Sequence, residues 1–325
     1  MPLNPDPKEV HWIQPKFCRY HKPYPFTAET PDRLAVLREI PNLLGLPVLY
    51  SKDGGRHASL PILLRAHSEE YIKVLYRSED KSRISGMLYT LQNRKYLQWY
   101  LGTSNNSFTA AQYAAGAVCD GVEEILNRNR KRVFCAVRPP GHHAGRERGE
   151  GFCLLNNVAI GALHALSVGS RVVIVDFDRH HGNGTEGIIA HANDERLLFI
   201  SSYQEDCKYA KQPIPTGTKS KLIRVPLPLG SGHREVLTRY TRKVIPAILK
   251  HEPSIMLISA GFDLHQDDAL RPKVRLDVSD FRDLTEILTG VADKCGAGIV
   301  SVLEGGYTIP SRRACVTAHV EALGQ

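Results

Sequence analysis

The chain has 325 residues, 42% of them hydrophobic and 23% charged, with 42 Lys and Arg against 34 Asp and Glu for a formal net charge of +8. This is the composition of a folded globular protein, long enough for one large domain, and no apolar run approaches the ~18–20 residues that cross a bilayer. The longest basic block, RNRKR at 128–132, reads as the solvated end of a helix, so neither nucleic acid nor a membrane is expected as a partner.

The start, MPLNPDPKEV, lacks the basic head and apolar stretch of a signal peptide. Cysteines 18, 119, 135, 153, 207, 295 and 315 are scattered and form no CxxC pair, as reduced thiols would be. The expected compartment is the cytoplasm.

From residue 107 the pattern alternates between helix and strand. SFTAAQYAAGAVCDGVEEIL (107–126) predicts a helix and RVFCAV (132–137) a short strand. A helix follows over 154–166, a strand over 171–178, a helix over 185–192 and a strand over 197–202. Next come a helix over 233–250, a strand over 254–263, a helix over 280–295 and a strand over 298–306. Short apolar strands separated by helices predict an α/β fold, one parallel sheet flanked by helices on both faces. Ligands of such sheets gather beyond the carboxyl ends of the strands.

Four of those ends are chemically loaded: RPPGHHAG, DFDRHHGNG, GFDLHQDD and EGGY. Charged groups rarely end a buried strand unless they are paired or hold an ion. Residues two apart on a strand share a face, which puts Asp176, Asp178 and His180 together and Phe177 and Arg179 opposite. Asp178 and His180, with Asp263 from another strand end, make a two-carboxylate, one-imidazole set suited to zinc or another borderline divalent ion. His142 and His143, side by side after Gly141, are placed for acid and base work near neutral pH. Asp176 is free to orient one of them, and Tyr307 on a glycine turn to donate to an oxyanion. Each feature alone has a plain structural explanation: a hydrogen-bonded strand end, a solvated loop, a core tyrosine. Their convergence on four strand ends points to a catalytic site.

Taken together, RPPGHHAG, GFCLLNNVAIGA, VDFDRHHGNGTEGI, SAGFD and LEGGY, in that order, resemble the zinc-dependent histone deacetylase family, including its bacterial amidohydrolases. The resemblance implies a single arginase-like catalytic domain over 1–325, with loops forming a narrow tunnel to one Zn2+ held by Asp178, His180 and Asp263. It implies catalytic roles for His142, His143 and Tyr307, with Asp176 behind the first histidine. Asn183 stands where some members carry aspartate, a feature of the class II branch. Gly151 and Phe152 match one tunnel wall, and K+ is expected beside the zinc through carbonyls of the DFDRH segment and the Ser201 region. The implied reaction is hydrolysis of an acylated amine by metal-activated water, releasing carboxylate and free lysine or a similar amine.

Three departures from the family pattern bear on substrate. QWYLGTSNNS (98–107) has no acidic residue where many members grip the substrate backbone. Gln212 and Pro213 fall where an aromatic tunnel wall is usual, which predicts a less confined tunnel open to acyl groups longer than acetyl. Leu270 and Arg271 occupy the rim position where polyamine-specific members carry glutamate, so acyl-lysine proteins or peptides are expected over acetylpolyamines or other small acylamides. Arg179, where an apolar residue is more usual, is expected to point away from the metal. Two further readings stand beside this one. A binuclear manganese hydrolase of the arginase type would need second-metal carboxylates where the chain has His181 and Asn183. A non-catalytic acyl-binding scaffold would keep the fold without turnover.

Overall fold

Seven short runs rich in Val, Ile and Leu form one parallel sheet. The strands are β1 (Val10–Ile13), β2 (Arg132–Cys135), β3 (Val172–Asp176), β4 (Leu197–Gln204), β5 (Lys221–Leu227), β6 (Ile255–Ala260) and β7 (Gly298–Leu303). Their order across the sheet is β1-β2-β7-β6-β3-β4-β5, every neighbouring pair parallel. The protein is described as a computed structural model covering residues 9–23, 27–49, 55–79, 89–98, 101, 103, 105–128 and 130–325. Of the segment 98–107, Trp99, Tyr100, Gly102 and Ser104 lie outside the described residues.

Every residue of β3, β6 and β7 is buried, as a sheet covered on both faces requires. Alternate residues show the two covers. Gly121, in the helix Ser107–Arg128, lies against Val133 and Val300. One residue further along each strand, the Phe134 ring is 5.7 Å from that of His319 and the Ser301 hydroxyl 2.8 Å from its Nε2, on the helix Ile309–Leu323. That helix packs in turn on Val278–Cys295, while Ser107–Arg128 packs on Asn157–Ser167.

Two strands and some boundaries differ from the sequence expectation. The edge strands β1 and β5 lie outside the expected set. β1 has only four residues, and β5 mixes Lys221, Arg224 and Pro226 into its apolar run. Proline is tolerated in β5 because that strand has a neighbour on one side only. The helix expected over 233–250 divides into Ile245–His251 and His233–Arg239 around a wider π-turn, Tyr240–Val244. Pro246, two residues after its end, has no N–H to continue an ordinary ladder.

The order of strands across the sheet, which differs from their order in the sequence, builds the site. β6 and β7 insert between β2 and β3. The loops after β2, β7, β6 and β3, which carry all the loaded motifs, are therefore neighbours at one edge of the sheet.

Candidate active site

β3 ends at Asp176, two residues short of the expected strand, so alternation does not place Asp178 and His180. Local hydrogen bonds do: Asp178 N–H donates to Asp176 Oδ1 at 3.0 Å, and His180 N–H to Asp178 Oδ1 at 2.8 Å. These side-chain caps replace the strand ladder and curl the loop over the sheet edge.

That curl brings one donor atom each from Asp178, His180 and Asp263 within 4.8 Å of one another. His180 Nδ1 lies 3.2 Å from Asp178 Oδ1 and from Asp263 Oδ2. Asp263 Oδ1 accepts from Arg179 N–H at 2.9 Å, and Asp178 Oδ2 from Gly305 N–H at 2.9 Å. Asp263 Oδ2, though buried, has no aligned hydrogen-bond donor. An unsatisfied buried carboxylate oxygen converging with a second carboxylate and an imidazole fits a divalent cation. Burial works against charge on His180, but Asp178 and Asp263 outweigh it and push its pKa up to about 10. His181 turns elsewhere, its Nδ1 3.0 Å from Ser201 Oγ and its Nε2 3.4 Å from Glu186, so it adds no ligand for a second ion.

Space around these carboxylates exists because two neighbours are glycines. A Cβ at Gly261 would stand 2.0 Å from Asp178 Oδ2, and one at Gly305 2.4 Å from the same oxygen. Gly151 does the same for a histidine, since a Cβ there would be 2.1 Å from His143 Cδ2.

The two histidines stand with ring centroids 4.0 Å apart and with different partners. His142 Nδ1 is 3.0 Å from Asp176 Oδ2, and His143 Nδ1 is 2.7 Å from Asn183 Oδ1. Burial opposes charge on both. For His142 the carboxylates of Asp178 and Asp176 overcome it and raise the pKa well above the usual histidine value. His143 has no carboxylate in contact; burial, then the charges of His142 and His180, hold it well below. One imidazole is thus biased towards the cation and its neighbour towards the neutral base.

The turn that presents them is fixed by groups that sequence reading left without a role. Glu304, buried in LEGGY, accepts from Gly141 N–H at 2.7 Å and His142 N–H at 3.2 Å. The paired asparagines of GFCLLNN brace the same turn: Asn157 donates to Pro139 O at 3.0 Å and Asn156 to Ala144 O at 2.9 Å.

Tyr307 sits across the site with its ring 5.7 Å from that of Phe152, and the Arg33 guanidinium lies 4.7 Å from the tyrosine centroid. Burial pushes the Tyr307 hydroxyl well above its ordinary pKa, against the pull of Arg33, so it stays a protonated donor. Gly151 and Phe152 both adopt left-handed backbone, φ 56° and 68°. An aromatic ring that the sequence reading did not single out lies beside the histidines. Gln212 and Pro213 are exposed, while the ring of Tyr209, four residues before Pro213, lies 3.9 Å from that of His143 between centroids, tilted by 32°. The sequence hides this residue because a short 3-10 turn, Lys208–Ala210, sets it back along the chain.

Leu270 is half-buried at the rim, held by Asp268, whose Oδ1 accepts its N–H at 2.9 Å. Arg179 does leave the metal set: its Nη1 donates to the Leu270 carbonyl, pinning the rim loop to the loop after β3.

Residues 27–323 match the histone deacetylase domain family model. Type-2 histone deacetylase 2 of Dictyostelium discoideum is 33% identical over 351 residues, covering 96% of this chain and 20% of that protein. The polyamine deacetylase HDAC10 of Danio rerio is 30% identical over 305 residues, covering 90% of this chain and 44% of that one. This chain therefore spans a fifth and less than half, respectively, of their lengths. Among solved structures, the HDA15 HD domain superposes with a TM-score of 0.81 at 27% identity, over 97% of this chain and 88% of that one.

Proposed function

This chain belongs to the histone deacetylase family, whose activity is that of a deacetylase hydrolase, and from that premise we propose that it is a zinc-dependent acyl-lysine deacetylase acting through a single catalytic domain. The observation that carries the proposal is the pairing of a cation-biased and a neutral histidine, His142 with Asp176 and His143 with Asn183, beside the Asp178–His180–Asp263 set.

Asp178, His180 and Asp263 would hold a divalent ion, which would supply Lewis acidity to the acyl carbonyl and to an attacking water. His143, with Nδ1 facing Asn183, keeps the Nε2 lone pair to take the water's proton. His142, held cationic by Asp176, has a proton to give to the departing amine. Tyr307 donates its hydroxyl hydrogen to the oxygen that gains charge as the carbonyl becomes tetrahedral. Phe152 and Tyr209 exclude water from the two sides of the acyl chain.

Tyr209 favours a short acyl group, acetyl above all, over the longer ones that an open wall would admit. Arg179 and Arg271 put guanidinium groups at the rim around Leu270, which disfavours a cationic polyamine. Potassium beside the site, through carbonyls of residues 176–180 and the Ser201 region, remains part of the proposal, as does a cytoplasmic location. Among the described residues no helix is long and apolar enough to cross a membrane.

The test is turnover of acetyl-lysine peptides, acetylputrescine and a longer acyl-lysine series by zinc-loaded protein. Release from the peptides that exceeds release from acetylputrescine supports the reading. The reverse order assigns the site to polyamines, and no release from any substrate leaves an acyl-binding scaffold.

A further inference from the structure

Glu150 immediately precedes the tunnel-wall pair Gly151–Phe152, and its carboxylate points at the machinery. Its Oε1 accepts from Asn183 Nδ2 at 2.5 Å, and its Oε2 from Gln98 Nε2 at 2.6 Å. Gln98 is itself anchored, its N–H donating to Gly149 O at 3.1 Å and its Oε1 facing Gly151 N at 3.4 Å. On the other side of Asn183, Oδ1 is 2.7 Å from His143 Nδ1. The four side chains form one line: Gln98, Glu150, Asn183, His143.

We propose that Glu150 is a positioning residue of the deacetylase site, fixing the orientation of the Asn183 amide and, through it, the tautomer of His143. The proposal rests on the reading of His143 as the base. The two ends of an asparagine amide are nearly the same size, and either can face an imidazole nitrogen. Turned one way, the oxygen accepts from a protonated Nδ1 and leaves Nε2 free to take a proton. Turned the other way, the NH2 donates to a bare Nδ1, and Nε2 carries the hydrogen and cannot act as a base. An ionised carboxylate only accepts, so Glu150 admits only the NH2 end of Asn183. The oxygen is thereby turned to His143, and the competent tautomer is selected from one residue away. Asparagine at position 183 and glutamate at position 150 are a matched pair, since an aspartate in place of the asparagine would need no such orientation and would repel Glu150.

The experiment is a double-mutant cycle on zinc-loaded protein with E150Q, N183D and E150Q/N183D, reading kcat and KM separately on an acetyl-lysine peptide. Melting curves accompany each variant. In the wild-type background, E150Q should lower kcat about tenfold at unchanged KM, part of the 10²–10⁴ that a positioned base contributes. In the N183D background the same substitution should raise kcat, because it removes a like charge. An equal loss in both backgrounds makes Glu150 a loop support and overturns the proposal. A rise in KM at constant kcat makes it a substrate grip and overturns it as well.

A second readout needs no turnover. In 15N-histidine spectra, His143, assigned by its loss in H143N, should show the Nδ1–H tautomer in wild type and a mixture in E150Q. An unchanged tautomer in E150Q overturns the proposal. Wild-type protein without turnover would sink the deacetylase reading alone and leave the tautomer result standing. If E150Q melts early, Glu150→Met gives the same readouts without a polar end.

Discussion

The carboxylate of Asp268 accepts the backbone N–H of Tyr307 at 2.7 Å. The same oxygen takes Thr308 N–H at 3.2 Å, and the other takes Leu270 N–H at 2.9 Å. One buried side chain thus ties the Leu270 loop to the turn that carries Tyr307, the proposed oxyanion donor. Asp268→Ala should shift Tyr307 without removing its hydroxyl. Because a misplacement of about 1 Å can cost up to 10²-fold, kcat on acetyl-lysine peptides is expected to fall by roughly 10–100-fold. Steady-state kinetics beside a melting curve would check it; an unaltered kcat would remove Asp268 from any role in placing the tyrosine.

Tyr307→Phe deletes only the hydroxyl. Loss of a single oxyanion donor costs ~10²–10³ in kcat, and this variant should show that loss while binding zinc as wild type does, since the hydroxyl is not among the ligand atoms. Metal analysis and turnover on the same sample separate the two effects.

Asp263 has the unsatisfied oxygen of the metal set. Zinc added to metal-free wild type should raise its melting temperature, because a ligand that binds only the folded state stabilises it by mass action. Asp263→Ala should abolish that rise and the activity together. A zinc-dependent rise that survives the substitution would place the ion elsewhere.

Tyr209, its ring 3.9 Å from that of His143, is the proposed second wall of the acyl site. Tyr209→Ala should favour longer acyl chains at the expense of acetyl, with the ratio of kcat/KM for octanoyl- over acetyl-lysine rising by about tenfold, near the 1–3 kcal/mol that small changes in pocket size control. An unchanged ratio would mean that the wall does not measure the chain.

His319 lies among Phe134, Phe177 and Phe262, and burial there lowers its pKa to about 3. Its two nitrogens are 2.6 Å from Thr285 Oγ1 and 2.8 Å from Ser301 Oγ, so both are partnered without a charged group nearby. The unfolded chain takes up a proton near pH 6.5, so below that point it binds more protons than the folded one. Stability is therefore full above about pH 6.5 and is lost as pH falls towards 3, by up to ~1.4 kcal/mol per pH unit. His21, at about 3, and His67, at about 4, act in the same direction. Denaturant unfolding at about pH 7.5 and pH 5.5 should show the loss, and His319→Gln should reduce the difference by about one proton's worth.

Much of the site could be read from the strand ends. Asp178, His180 and Asp263 are brought together, as are His142 with Asp176 and His143 with Asn183, because each lies within a few residues of a strand whose neighbours the topology fixes. Strand alternation is the wrong reason for the first of these, since β3 ends at Asp176 and side-chain caps shape the rest. What stays hidden in the sequence is support from a distance. Glu150, Asp268 and Glu304 are ordinary acidic residues until the chain folds their loops onto another strand's turn, and Tyr209 is displaced by one helical turn from the position where a wall is sought. Arg179 becomes intelligible only with its partner, a backbone carbonyl that no side-chain pattern records.

The positions least open to change here have no functional group. A methyl at Gly261 or Gly305 would occupy the volume of an Asp178 oxygen, so alanine there should prevent binding of the proposed ion as surely as loss of the aspartate. A saturation screen scored by activity would rank these two with the ligands themselves, and a survey of reactive side chains would never find them. For anyone redesigning the pocket, freedom lies outward, at Tyr209, Leu270 and the rim. The floor has already been carved to the last atom.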